Sequence, residues 1–225
     1  MTPSVGWGVL HLFCRARAGA EAKLVAAAVD EFSGAGPDNQ VISFAVLGHK
    51  GELGFMALAP DLWGLQRLQS ALVAAGLDLV DSYVSLTEVS EYSKGLPEEM
   101  LEARLHPRLP PPGKGVLCFY PMSKRRQPGQ NWFTLPFEER KDLMYGHGKK
   151  GREYAGRVVQ LITGSTGLDD CEWGVTLFAD DPVSLKDIVY EMRFDPASAL
   201  YAEFGVFVTG LIAPVDEVCR RVGLE

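Results

Sequence analysis

The sequence predicts an α+β protein made of two ferredoxin-like repeats, and three observations support this fold class. Each half of the 225 residues shows the same order of patterns, β-α-β-β-α-β. The strand segments are rich in β-branched and aromatic residues, whereas the helical segments repeat apolar residues at spacings of three and four. The halves also begin alike, with WGVL at 7–10 and KGVL at 114–117. Two such sheets can pair into a barrel with the helices outside.

The first repeat is predicted to take up residues 1–97. Its elements are a strand at 7–14, a helix at 18–32, strands at 41–49 and 52–59, a helix at 60–75 and a strand at 79–89. The first helix is alanine-rich, and alanine has the highest helix propensity. The two central strands are expected to form a hairpin, because Lys50 and Gly51 make a tight turn between them.

The second repeat is predicted over residues 115–225, after a proline-rich linker at 98–114. Its elements are a strand at 115–122, a helix at 136–154, strands at 158–165 and 171–180, a helix at 182–193 and a strand at 203–212. The linker reads RLHPRLPPPGKG near its end, and clusters of proline and glycine typically separate structural units.

Composition excludes several classes of protein. The net charge is -7 with a pI near 5.2 and no long basic stretch, so nucleic acid is not an expected partner. No run of about 18 apolar residues is present, so no membrane span is expected. The N-terminus does not read as a signal peptide. The four cysteines are scattered without a C-x-x-C pair, which predicts reduced thiols in a cytoplasmic protein.

His147 is a candidate metal ligand on the predicted helix 136–154. Leu143, Met144, Gly151 and Tyr154 fall on its face at spacings of three, four and seven, so this face is expected to point inward. The flanking glycines are poor helix formers, which makes sense if a flat group approaches the backbone. An imidazole in an apolar wall suits a proximal haem ligand. A buried histidine at a helix end is the alternative.

Tyr120, Met122 and Lys124 alternate along one predicted strand, so all three are expected on one face. A phenol, a thioether and an ammonium suit a pocket that holds an apolar ring with acidic edges. The alternative for Lys124 is a strand end that reaches solvent beside the basic turn with Arg125 and Arg126.

Further polar residues are weaker candidates. Gln160 can hydrogen-bond a ligand but carries no charge, and an ordinary polar strand residue is the alternative. Four other side chains could bind carboxylates: Arg193, Ser198, Arg104 and Tyr83. Lone arginines are more often surface ion pairs, so each of these is weak by itself.

Several segments between Gly115 and Gly210 together resemble the chlorite dismutase-like superfamily, and within it the coproheme decarboxylases. The segments are FYPMSKRR at 119–126, NWF at 131–133, HG..GR.YAG at 147–156, GS.GLDD.EWGVTLF at 164–178 and YEMRFD..SA.YAEFG at 190–205. The first half matches mainly in its repeat architecture and in SYVSLTEVSEY at 82–92.

The resemblance implies a dimeric α+β barrel within one subunit, assembled as a homopentamer, with the tetrapyrrole in the second repeat. It implies that His147 is the proximal iron ligand, that Tyr120 forms the reactive radical and that Lys124 assists as proton donor or propionate partner. It implies a distal position for Gln160. The residues that line the ring or hold its propionates would be Met122, Trp132, Arg193, Ser198, Arg104 and Tyr83.

The implied reaction is a peroxide-dependent oxidative decarboxylation of two propionates of iron coproporphyrin III, which gives haem b. The resemblance also implies a transient contact with the coproporphyrin ferrochelatase. True chlorite dismutases place an arginine over the iron, where a cation can hold an oxyanion, whereas the neutral Gln160 stands there in this chain. Two alternatives stay open: a chlorite dismutase or weak haem peroxidase, and a non-catalytic haem-binding protein.

Overall fold

The computed structural model describes residues 1–93 and 95–224, and its first repeat has the predicted order of elements. These are β1 (Gly8–Ala16), α1 (Ala22–Gly34), β2 (Gln40–Leu47), β3 (Leu53–Ala59), α2 (Leu62–Ala74) and β4 (Leu77–Thr87). The Asp61 carboxylate accepts the backbone N–H of Trp63, which caps the N-terminus of α2.

The rest of the chain contains the elements predicted for the second repeat and several short additional ones. A 3₁₀ turn (Glu91–Ser93) and α3 (Glu98–Leu105) precede β5 (Val116–Lys124), the small hairpin β6 (Arg126–Gln127) and β7 (Gln130–Asn131), and a second 3₁₀ turn (Trp132–Thr134). Then follow α4 (Phe137–Arg152), β8 (Val158–Gly164), β9 (Trp173–Ala179), α5 (Pro182–Met192), α6 (Pro196–Ala199), β10 (Ala202–Phe204), β11 (Val208–Ile212) and α7 (Val215–Arg221).

The long strands form one sheet that closes on itself. Its order is β10-β5-β11-β2-β3-β1-β4-β8-β9, and β9 pairs antiparallel with β5, which completes a ring of eight strands with β10 beside it. The repeats are joined where β11 pairs with β2 and where β4 pairs with β8. The α+β prediction is therefore confirmed. The predicted repeat boundaries stay predictions, because the sheet runs through both halves without a break.

Alternation along β5 separates the inside of the ring from its outer face. Leu117 and Phe119 belong to the interior cluster, which also contains Phe44 from the first repeat. Cys118 and Tyr120 point the other way, into a cluster beneath α5. Successive side chains of a strand face opposite sides, so the period-two prediction for Tyr120 and its neighbours holds.

The strand predicted at 203–212 is two strands, β10 and β11. Phe204 pairs with Met122 and Val208 pairs with Phe119, so four steps on one strand oppose three on the other. This extra residue is a β-bulge, which interrupts the ladder and bends the chain. A Cβ on Gly205 would lie 2.7 Å from Cγ of Pro121, so the close approach requires glycine here.

The predicted linker contains a helix, α3, that the proline-rich composition did not indicate. None of its residues is buried. The helix therefore lacks the regularly spaced apolar residues by which a helix is recognised in a sequence. After α3 the chain crosses to β2, where the Gln40 side chain bonds the Pro107 carbonyl and the Leu109 N–H. No helix of the described residues is both long enough and apolar enough to span a bilayer.

Gly54→Ala is expected to lower the free energy of unfolding by about 1–3 kcal/mol, through overpacking of the interior cluster. A Cβ at Gly54 would lie 2.0 Å from the Phe44 ring, which is fully buried. Urea unfolding measures the change. Gly34→Ala is the control, because nothing lies within 4 Å of its Cβ position and it is expected to be neutral or stabilising. Equal midpoints for Gly54→Ala and the unmodified protein would contradict the packing described.

Candidate functional site

The candidate site lies between α4 and the outer face of β5, β8 and β9. The backbone of α4 packs mainly against α6, α5 and the turn at Glu91–Ser93 rather than against the sheet. No residue of α4 is buried, and His147 is only partly covered. On the facing strand β8, Ile162 is 45% exposed. The helix therefore stands off an apolar strand surface, and the fully inward face predicted for α4 is not observed.

His147 is held by a buried carboxylate. Its Nδ1 lies 2.8 Å from Oδ2 of Asp195, which is 2% exposed. A carboxylate can only accept, so Nδ1 carries the hydrogen and the lone pair of the neutral ring is on Nε2. No hydrogen bond to Nε2 is formed among the described residues. Histidines that ligate a metal are commonly oriented in this way, with a carboxylate on the other ring nitrogen.

Asp195 is in place because it begins the short helix α6. Its side chain accepts the backbone N–H of Ser198 at 3.1 Å, an N-cap contact. Burial favours the neutral acid, but the hydrogen bond and charge interaction with His147 and the bonds from Ser198 outweigh it, so the pKa of Asp195 is lowered. The Ser198 hydroxyl lies 3.5 Å from Nδ1 of His147, so Ser198 supports the histidine in this structure.

Tyr120 is enclosed by two phenyl rings. Phe207 stacks on it with ring centroids 4.3 Å apart, and Phe204 meets it edge-on at 5.7 Å. The bulge between β10 and β11 puts both rings on the same tyrosine. Burial raises the pKa of Tyr120, Cys118 adds to the rise, and the charge of Arg193 opposes it. The Tyr120 hydroxyl has no hydrogen-bond partner among the described residues, so it can meet a ligand.

Lys124 is buried, and the alternative that it reaches solvent is wrong. Its Nζ donates to the Ala197 carbonyl at 3.1 Å and lies 4.1 Å from the centroid of the Trp132 ring. Burial lowers the pKa of Lys124 to about 8, and the charges of Asp195 and Glu172 oppose that shift. Trp132, predicted to line a ring, is 3% exposed and contacts Lys124 in this structure.

Gln160 lies on the same outer face as Tyr120. Tyr120 pairs with Val175, which pairs with Ile162 on β8, two residues from Gln160. The backbones at Tyr120 and Gln160 are therefore about 12 Å apart. The Gln160 amide nitrogen lies 3.3 Å from the Cβ position of Gly151, which is one helical turn after His147. His147 and Gln160 thus border the same space from opposite sides.

Met122 and Arg193 also lie beside Tyr120. Met122 packs against the outer cluster from two residues along β5. The Arg193 guanidinium carbon is 4.5 Å from the centroid of the Phe204 ring. Met122 and Arg193 thus lie next to Tyr120 and its covering rings. Lys124 shares the strand face of Tyr120 but contacts Ala197 and Trp132.

Two predicted residues are placed elsewhere. Tyr83 lies in the interior cluster, where its ring is 5.3 Å from Phe119 and its hydroxyl bonds the Ser165 hydroxyl. It is therefore on the opposite side of the sheet from Tyr120. Arg104 is exposed on α3 and donates to the Ser93 hydroxyl at 2.5 Å. Arg104 is at the margin of the site, because the turn that ends at Ser93 packs on α4.

Sequence reasoning missed Asp195, Phe204 and Phe207. The signal for Asp195 was its D-P-A-S context, since Asp followed by Pro at the first helical position is typical of an N-cap. The two phenylalanines carried no comparable signal, because only the bulge brings them onto one tyrosine. A cleft of about 520 Å³ between α4 and the start of α6 is lined by Leu143, Gly146, Pro196 and four carboxylates, Glu138, Glu139, Asp142 and Asp195.

The fold and the site together define a class: α+β barrel proteins with a carboxylate-supported histidine between a helix and the outer face of the sheet. The family model described as chlorite dismutase matches residues 15–213. The chain belongs to the chlorite dismutase family.

Individual relatives agree with this assignment. A heme-binding protein from Thermus thermophilus is 40% identical, with a TM-score of 0.89 over 100% of this chain and 98% of that one. A mutant chlorite dismutase from Candidatus Nitrospira defluvii is 19% identical, with a TM-score of 0.78 over 98% and 97% of the two chains, which shows the fold alone. A relative from Natronomonas pharaonis named for heme binding is 46% identical over 183 residues. That match covers 74% of this chain but only 30% of the relative's length.

Proposed function

We propose that this protein is a coproheme decarboxylase, which uses hydrogen peroxide to convert two propionates of iron coproporphyrin III into the vinyl groups of haem b. The observation that carries the proposal is that the buried Tyr120 and Lys124 lie on one face of β5, on the side of the sheet towards the helix of His147. The heme-binding names of two of the similar proteins described above support an iron porphyrin as the ligand.

The residues fit an iron porphyrin. The lone pair of His147 would hold the iron, because Asp195 fixes the other ring nitrogen. The apolar outer face of β8 and β9 suits the ring, and the stand-off of α4 suits a flat ligand. The contact between Gly151 and Gln160 implies that Gln160 changes rotamer or α4 moves outward when the ring binds.

The charges around the site favour one orientation of the ring. The cleft on the α4 side of His147 carries several carboxylates, which repel the propionates of the substrate. On the side of Tyr120 lie the cations Arg193 and Lys124, and the charge of Arg193 acts on the phenol. The reactive propionates are therefore directed towards Tyr120.

The iron porphyrin is the substrate, and together with peroxide it supplies the oxidising equivalents. Tyr120 gives up its phenolic hydrogen and then regains one from the β-carbon of a propionate. The propionate radical then loses a second electron to the same oxidant. The carboxyl group departs as carbon dioxide, and the carbon–carbon double bond of the vinyl group forms. For each propionic acid group, one peroxide is reduced to two waters. Burial disfavours the phenolate of Tyr120, so the side chain keeps the hydrogen that the reaction needs.

Gln160 argues against the chlorite dismutase alternative. Its side chain reaches the His147 helix from β8, and a neutral amide holds an oxyanion more weakly than a guanidinium does. The other alternative, a non-catalytic haem-binding protein, leaves the burial of Lys124 on the strand face of Tyr120 without a role.

Mixing the purified protein with iron coproporphyrin III and peroxide tests the proposal. We expect a three-propionate intermediate and then haem b, followed by mass spectrometry and absorption. Intact coproheme after many equivalents of peroxide would overturn the proposal in favour of a haem-binding protein. Sustained oxygen release from chlorite would favour the dismutase. Sedimentation velocity tests the proposed homopentamer, and binding to coproporphyrin ferrochelatase tests the proposed contact.

The pH dependence is expected to report Lys124. With its pKa lowered to about 8, the amine is protonated below pH 8 and neutral above it. Proton donation and propionate binding both need the charged form, so turnover should fall about tenfold per pH unit above pH 8. Lys124→Met should be slow and lack this alkaline limb, whereas Lys186→Met, at an exposed lysine, should keep it. The same limb in Lys124→Met would exclude Lys124 as its source.

A further inference from the structure

Lys50, in the hairpin turn between β2 and β3, reaches from the first repeat into the neighbourhood of Tyr120. Its side-chain amine donates a hydrogen bond to the backbone carbonyl of Phe207. The approach is possible because β11 pairs with β2, which brings the turn beside the start of β11. Burial raises the pKa of Cys118 to about 11, and the charge of Lys50 opposes this rise, which agrees with its closeness to the outer cluster.

The Lys50 ammonium is half-buried and has no carboxylate within 4.0 Å in the described part of the chain. Its hydrogen-bond partner is instead the Phe207 carbonyl at the bulge, and hydrogen bonds from charged donors are stronger than those between neutral groups. The bulge is attached to β5 at its first residue, where the Gly205 N–H donates to the Pro121 carbonyl, whereas Phe207 at its other end lies outside the strands. Lys50 therefore supplies a side-chain contact at the Phe207 end of the bulge.

The bulge in turn holds the ring that covers Tyr120. Phe207 stacks on Tyr120 with an interplanar angle of 22°. We propose that Lys50 is a positioning residue, which fixes the Phe207 backbone and thereby the orientation of the Tyr120 phenol. The effect of Lys50 on catalysis rests on the proposed function, whereas its effect on the orientation of Tyr120 does not depend on the reaction.

The experiment compares Lys50→Met and Lys50→Arg by fluorine NMR of protein labelled with fluorotyrosine. The chain has seven tyrosines, and Tyr120→Phe assigns the relevant signal. In Lys50→Met the Tyr120 signal should move and broaden, and in Lys50→Arg, which keeps a charged donor, it should return towards its original position. Phe207→Leu should move the same signal. Lys23→Met, at an exposed lysine of α1, should leave it unchanged.

Kinetics complete the test. Lys50 contacts the bulge and not the substrate, so Lys50→Met should lower kcat about tenfold with KM within about twofold. An unmoved Tyr120 signal in Lys50→Met overturns the inference, and so does a moved signal with unchanged kcat. If the unmodified protein makes no haem b, the proposed function fails by itself, and the NMR result still decides whether Lys50 orients Tyr120. If Lys50→Met does not fold, Lys50→Gln, which removes the charge but keeps a polar side chain, replaces it in the same comparison.

Discussion

Tyr120→Phe is expected to abolish haem b formation, with turnover at least about a thousandfold lower, equivalent to about 4 kcal/mol of transition-state free energy. The proposed reaction needs a phenolic hydrogen next to a propionate, and phenylalanine has none. The effect should be confined to chemistry, because the Tyr120 hydroxyl has no hydrogen-bond partner in the described structure and its ring packing on Phe204 and Phe207 is kept. Mass analysis of the porphyrin after peroxide addition gives the measurement.

The matched control is Tyr190→Phe, which removes the hydroxyl from a tyrosine of α5 that is 64% exposed. It should decarboxylate normally. Thermal unfolding of Tyr120→Phe should stay within about 0.5 kcal/mol of the unmodified protein. Haem b produced at the normal rate by Tyr120→Phe would remove Tyr120 from the mechanism and require another route for the hydrogen.

His147→Ala is expected to eliminate the axial imidazole and to weaken iron porphyrin binding by at least about tenfold. The absorption spectrum of the ferric porphyrin complex should change, and free imidazole added to the variant should restore it in part. His49→Ala, at an exposed histidine, should behave like the unmodified protein. This test needs no peroxide, so it separates binding from turnover.

An unchanged spectrum in His147→Ala would assign the ligand to another residue. Asp195 would then be a structural N-cap whose contact with His147 has no functional meaning. If His147→Ala does not bind the porphyrin and imidazole does not restore binding, circular dichroism shows whether the variant has lost its folded state. In that event His147→Gln, which keeps a hydrogen-bonding side chain, repeats the comparison.

The strand periodicity predicted much of the fold and part of the site. Alternation placed Tyr120, Met122 and Lys124 on one face, and the structure agrees because a regular strand admits no other arrangement. The burial of Lys124 was not predictable from its basic neighbours. It depends on the second 3₁₀ turn and on α6, which approach from distant positions in the chain.

Where the prediction failed, longer-range packing decided the outcome. Tyr83, Ser85 and Thr87 fill buried positions of β4 with polar groups, so the alternation of this strand does not show which face is inside. The apolar spacing of α4 predicted an inward face, but the helix is held off the sheet by its contacts with α5 and α6. The bulge at 205–207 depends on Pro121 of the opposing strand, which no local pattern near Gly205 reveals.

The position of β11 between β2 and β5 has a consequence for biosynthesis. During translation, the five residues of β11, which join the two repeats by pairing with β2 and β5, emerge only after about 200 others. Until then the edges of β2 and β5 present unpaired backbone groups, which invite association with other nascent chains. A ribosome-bound chain that stops before Val208 should therefore be protease-sensitive and chaperone-bound. A synthetic peptide with the sequence of β11 should bind the open edges of β2 and β5 in competition with the chaperone.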